Sequence, residues 1–161
     1  MTDTPEHNPN SDLRAFAPSR ETYDIEALAT ITIDAAYHLH RDLGPGLLES
    51  VYQAILPRIL EKRGVRVERQ VRVPITYQDM TCDDGFRVDL LVDRRLIVEL
   101  KSQEKVAPVH IKQLLTYLRL LELPLGLLIH FGDETLKQGV KRVVNNHRDL
   151  RNSPLRVNRS E

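Results

Sequence analysis

The stretch "RVDLLVDRRLIVELKS", residues 87–102, decides how the chain is read, because it sets Asp89, Glu99 and Lys101 inside two apolar segments. Both segments are rich in Val, Leu and Ile and flank the charged "DRR", the pattern of two strands and their turn. If the loop is Asp93, Arg94 and Arg95, Val92 pairs with Leu96, and counting back puts Asp89 opposite Glu99. Directly opposed residues share a face with Cβ atoms about 4.5–5.5 Å apart. Lys101 then lies opposite Arg87 on that same face, while Val88, Leu90, Val92, Leu96, Val98 and Leu100 form an apolar face suited to a helix. A two-residue loop would send Glu99 to the side away from Asp89. Three-residue loops usually want a left-handed residue, often glycine, and "DRR" offers none.

Two carboxylates at this separation repel, and a site resolves the repulsion by sharing a proton or binding a cation. Oxygen ligands suit Mg²⁺ or Mn²⁺, which keep several waters and accept a substrate phosphate as a further ligand. Lys101 can hold a water or steady negative charge developing on a phosphate. This arrangement points to phosphodiester chemistry. The spacing D-x(9)-E-x-K fits equally a solvated sheet face, with Glu99 paired to Lys101 or Arg87, since exposed ion pairs are common and contribute little. The residues alone leave both readings open.

Upstream of this hairpin, Ile25, Leu28, Ala29, Thr32, Ile33, Ala36 and Leu39 recur at helical spacing and end before "GPG". A second helix is expected from about Leu47 to Arg63, with a kink near Gln53 or a break because Pro57 lies inside it. After Gly64 the period falls to two, through Val65, Val67, Val71, Val73, Ile75 and Tyr77, which reads as a strand with Pro74 at an edge or bulge. "QDMTCDDG" reads as a turn before a strand from Phe86. Downstream, Val109, Ile111, Leu114, Leu115, Leu118 and Leu121 mark a helix, "PLGLLIHF" a buried strand, and Glu134 to Asn146 a final helix. The order ααβββαβα predicts an α/β fold, a mixed central sheet flanked by helices.

At 161 residues and 41% hydrophobic, the chain has the size of one domain. Residues 1–20 are polar and Pro-rich and are expected to form a disordered tail, 21–150 the domain, and 151–161 a flexible tail. Lysine plus arginine and aspartate plus glutamate both number 23, so no global basic field draws in a polyanion and such a site must be local. A lone Cys82 excludes an intrachain disulfide. With no secretion-like start and no apolar run of about 18 residues, a cytoplasmic protein with no membrane segment is expected. His40, His110 and His130 lack the close spacing of zinc ligands.

These residues resemble the PD-(D/E)XK nuclease superfamily, whose restriction-endonuclease-like αβββαβ core carries acids and a lysine on its central hairpin. "GLLESVY", residues 46–52, is similar to the signature of the small GxxExxY family within it, through Gly46, Glu49 and Tyr52. The resemblance runs in order from about residue 22 to 146 through "LGPGLLESVY", "FRVDLLV", "LIVELKS", "VHIKQLLTYLRL" and "LGLLIHFG". It implies Asp89, Glu99 and Lys101 as catalytic residues, and Glu49, Asp89, Glu99 and the Leu100 carbonyl as ligands of Mg²⁺ or Mn²⁺. Gln113 and Tyr117 resemble a Q-x-x-x-Y element and, with Arg87, would contact substrate; one helical turn separates the two. Val88 stands where the superfamily name has proline.

The activity this implies is metal-dependent hydrolysis of phosphodiester bonds in nucleic acid, with DNA favoured over RNA and a homodimer allowed. Taken singly, Glu49 also suits a helix start, Tyr52 and Tyr117 suit a core, and Gln113 a polar surface. Zero net charge and 5% aromatic content fit an alternative, a catalytically inactive module of this fold that binds nucleic acid or protein, with a protein partner supplying basic surface. Hydrolysis of a smaller phosphate ester is a third reading.

Overall fold

The structure is a computed structural model that describes residues 23–103, 105–146 and 155–157. The N-terminal segment 1–20 lies outside the described residues. Helix α1, Ile25–Leu43, starts at Asp24, whose Oδ1 accepts the Ala27 N–H at 2.7 Å, a side-chain cap that satisfies an otherwise orphaned donor. Helix α2, Glu49–Lys62, continues through Pro57 as one element. The expected break does not occur, although proline removes the bond its N–H would give the Gln53 carbonyl. Pro57, Tyr52, Leu56 and Leu60 are all buried, and that packing holds the helix together across the missing bond.

Strand β1, Val67–Tyr77, and strand β2, Met80–Val92, form a long antiparallel hairpin that turns at Gln78 and Asp79. The turn expected over eight residues is thus two residues long. "MTCD" is polar because that part of the hairpin is exposed on both sides, not because it bends. Register shifts between Val73 and Ile75, the bulge expected at Pro74. Gly85 belongs to it: a Cβ there would meet Ile75 Cγ1 at 2.5 Å and Ile75 N at 2.8 Å.

Strand β3, Leu96–Lys101, pairs antiparallel with β2, and α3, Pro108–Leu121, crosses over to β4, Leu125–His130, which lies parallel to β3. All six β4 residues are buried. The expected last helix is instead a single turn, α4 Leu136–Gly139, followed by β5, Val140–Val144, antiparallel to β4. Val140, Val143 and Val144 have helical spacing, but they are β-branched and lie beside the open edge of a buried strand; covering that edge decides the matter. Three residues of the expected C-terminal tail, Leu155–Val157, form β6 on β1, giving the order β5-β4-β3-β2-β1-β6.

Two cores sandwich this sheet. On one side α1 and α2 bury Leu28, Leu39, Leu56 and Leu60 against Leu90, Val92, Leu96, Val98, Leu100, Leu127 and Ile129. On the other, Leu114, Tyr117 and Leu118 of α3 pack on Phe86, Val88, Ile97 and Leu128. Val88 and Leu90 therefore point to opposite sides although only one residue separates them. The partner strand behaves alike, since Val67, opposite Val92, packs with the first core and Val71, opposite Val88, with the second. The β1–β2 ribbon turns over at Gln70 and Asp89, and Gln70 has φ 50°, left-handed inside a strand. The expectation that Val88 shares a face with Leu90 and Val92 is corrected by this turnover.

Candidate active site

The hairpin loop has the three residues the acidic pairing needs. Val92 pairs with Leu96, Leu91 with Ile97 and Leu90 with Val98. Without glycine, Asp93 and Arg94 themselves take φ 48° and 56°, and Arg95 N–H closes the turn on the Val92 carbonyl at 3.0 Å. Arg94 Nε is held by Glu68 Oε1 at 2.7 Å.

Beyond Leu90 and Val98 the strands part, and the acids occupy the gap. Leu100 N–H, which faces β2, donates to Asp89 Oδ2 at 2.9 Å, and Asp89 N–H donates to Glu99 Oε1 at 3.3 Å. Two carboxylates thus take main-chain donors that continued ladder pairing would have used. The Leu100 carbonyl faces the same gap as its N–H. Glu99 and Lys101 alternate with Val98 and Leu100, so both project toward α3; both are half-buried.

Burial pushes the Glu99 carboxyl up to about 9, with the neighbouring Asp89 charge next in importance and Lys101 opposing. A carboxylate pair in this state holds a proton that a cation would displace. Tyr117 stacks on Phe86, ring centroids 4.1 Å apart, and accepts a hydrogen bond from Gln113 Nε2. Its phenol is raised above the usual range, first by burial and then by Glu99. The two α3 residues therefore stand beside the acids, with Gln113 exposed at the rim.

Glu49 opens α2 and reaches the acids through side-chain amides. Gln53 Nε2 donates to Glu49 Oε1 at 3.1 Å, and Gln70 Nε2 lies 3.2 Å from Gln53 Oε1 and 3.5 Å from Asp89 Oδ1. Gln53 and Gln70 escaped the reading of the sequence. Gln53 lies one helical turn from Glu49, and Arg69 interrupts the apolar alternation just before Gln70; each was a visible signal. Gly46 has φ 98°, a left-handed turn that glycine makes without strain. Tyr52 is fully buried, stacks on Phe131 at 4.1 Å and donates its hydroxyl to the Gly44 carbonyl at 2.7 Å. It fixes the loop from which Glu49 projects.

Arg87 does not join the acidic face. It alternates with Phe86 and Val88, which point toward α3, and so projects from the opposite side, exposed. The expected register holds as far as Leu90 and Val98; beyond them the strands part, and the turnover at Asp89 reverses faces between Asp89 and Arg87. His130, also near the strand ends, is buried between the Asp133 carboxylate, at 3.0 Å, and the Gln103 carbonyl. A cleft of about 250 Å³ opens there, lined by Lys105, Asp133, Gln138 and Lys141 among others.

Asp89, Glu99 and the Leu100 carbonyl offer a hard cation such as Mg²⁺ or Mn²⁺ an all-oxygen donor set, and one or two carboxylates are what such ions ordinarily take from a protein. The residues fit. Glu49 stays an amide bridge away, and among the described residues no three Asp, Glu, His or Cys side chains converge. A twisted mixed sheet between helices, parting around an Asp–Glu pair with an adjacent lysine, defines a nuclease-like fold. The chain belongs to the PD-(D/E)XK nuclease superfamily, whose family model matches residues 26–143. No curated protein and no solved structure gives a match. Superfamily membership brings divalent metals and nucleic acid as the typical cofactor and substrate classes. No helix among the described residues is long and apolar enough to cross a membrane.

Proposed function

We propose that the protein is a Mg²⁺- or Mn²⁺-dependent phosphodiesterase acting on nucleic acid, DNA in preference to RNA, in the cytoplasm, and that it belongs to the GxxExxY group of its superfamily. The observation that carries the reading is the exchange at the strand gap: Asp89 holds the Leu100 N–H and Glu99 the Asp89 N–H, which aims two carboxylates and a carbonyl at one space. Glu99, protonated up to about 9 without a cation, has the most to gain from one.

A divalent cation there would neutralise phosphate charge and acidify an attacking water. Lys101 orients that water and screens the charge growing on the phosphate oxygens. Gln113 donates to the Tyr117 oxygen, leaving the phenol O–H to donate to a phosphate oxygen; the raised Tyr117 phenol stays protonated for that purpose. Glu49 can join the acids only when the Gln53–Gln70 bridge opens or lengthens. A homodimer would place two such sites on one duplex.

Calorimetric titration with Mn²⁺ tests this, together with cleavage of single- and double-stranded DNA and RNA. Glu99→Gln is expected to lose Mn²⁺ binding, and Lys101→Ala to keep it while cleavage falls by about 10²–10⁴-fold. Cleavage that persists in both variants would defeat the reading. Metal binding with no cleavage of any substrate would favour a non-catalytic binding module, for which the separation of Glu49 from the other acids is the supporting observation.

A further inference from the structure

We propose that Arg72 and Arg87 form a two-arginine phosphate clamp that holds the nucleic-acid backbone on the side of the β1–β2 ribbon that none of the described helices covers, next to the acids. The inference rests on the nuclease reading for its substrate and adds to it a binding surface and a residue, Arg72, outside the superfamily motif.

The ladder places Arg72 directly opposite Arg87. Opposed residues on an antiparallel pair project from the same face with Cβ atoms about 4.5–5.5 Å apart, and like charges in that position destabilise the sheet. Nothing in the fold asks for the pair. Phe86, Val88 and Val73 bury the other face of this segment against α3, while both arginines are exposed. Neither is neutralised well: Arg72 meets Asp84 Oδ1 at 3.4 Å, with both side chains about two-thirds exposed, and Arg87 makes no ion pair among the described residues. Exposed pairs of that kind screen little.

Position gives the pair its meaning. Arg72 lies two residues after Gln70 and Arg87 two residues before Asp89, about 7 Å along the strands, on the side where Gln70 meets Gln53 of α2. Helices α1 and α2 cover the sheet only up to Leu90 and Val67, and among the described residues no hydrophobic side chain packs on that side beyond the turnover. A phosphate held by two planar guanidinium forks there lets the strand continue across Asp89 into the gap shared with Glu99. A chain with equal numbers of cationic and anionic side chains has no general field to bind a polyanion, and a concentrated pair supplies a local one.

The test is binding of fluorescent single-stranded and duplex DNA to the full chain in EDTA, followed by anisotropy over a range of salt concentrations. The variants are Arg72→Thr, Arg87→Thr and the double, with Arg41→Thr, an exposed arginine at the end of α1, as the charge control. Each clamp variant should weaken binding, the double by about tenfold or more. The slope of log affinity against log salt should become shallower by about 1.8 for duplex in the double variant. Relief of like-charge repulsion should leave Arg87→Thr melting at or above the wild-type temperature in low salt, so lost binding is not lost folding. The proposal is overturned if the wild type does not bind, if the double variant keeps wild-type affinity and slope, or if Arg41→Thr loses as much. Failure of the nuclease reading shows separately, as absent Mn²⁺ binding or cleavage indifferent to Glu99, with the metal-free anisotropy unaffected.

Discussion

Asp89 and Glu99 sit opposite one another where β2 leaves β3, and each carboxylate takes a main-chain N–H from the other's strand region, Asp89 from Leu100 and Glu99 from Asp89 itself. The pair is therefore built into the sheet rather than laid on it. Its charge state and its geometry are consequences of the same strand separation.

Stability in the absence of metal should fall as pH rises. An unfolded glutamate releases its proton near 4.5, whereas folded Glu99 keeps it until about 9, so in that window unfolding releases a proton and higher pH favours it. The contribution is fully present below about 4.5 and is lost as pH rises through the folded value. Thermal melts in EDTA between about pH 5 and 9 should show this decline, and Glu99→Gln should flatten it. A wild-type melting temperature that rose over the range would contradict the assignment.

Gln70→Ala should leave the fold intact and weaken Mn²⁺ binding by about 10–100-fold, the usual range for residues that orient metal ligands. Gln70 touches both Asp89 and Gln53, and its loss frees the Asp89 carboxylate and α2 from each other. Calorimetry alongside circular dichroism separates this from unfolding.

Arg94→Gly should stabilise the protein, raising its denaturation midpoint. A left-handed conformation costs a side-chain-bearing residue about 1–2 kcal/mol that glycine escapes. The pair with Glu68, lost in exchange, is solvent-screened at Arg94 and contributes little. Denaturant melts measure the balance; a lowered midpoint would mean the Glu68 contact governs the turn.

Tyr52→Phe should cost about 0.5–1.5 kcal/mol, the net value of its hydrogen bond to Gly44, and leave Mn²⁺ affinity near wild type. An equal loss of metal affinity would show that the hydroxyl sets the position of Glu49 as well as anchoring the loop.

The sequence was most legible where pattern and topology agree. The alternation of Leu and Val around "DRR" located the hairpin, with its register hanging on the length of the loop, and the helical spacing from Ile25 and from Val109 located α1 and α3. Composition misled where exposure mimicked a turn, at "MTCD", and where Val140, Val143 and Val144 carried helical spacing in a strand that caps a buried edge. The face of Arg87 was hidden for another reason. Alternation along β2 holds on either side of Asp89 but reverses across it, and a reversal of this kind depends on φ at Gln70, which no residue pattern specifies.

The turnover at Gln70 and Asp89 also means that the acids lie on the seam between two separately packed cores. Asp89 is placed by the ribbon that α3 anchors through Phe86 and Val88, and the Leu100 N–H it holds by the strands that α1 and α2 cover. Loosening either half dissolves the pairing. The site can exist only in the fully folded chain, so partial unfolding on either side would disarm it.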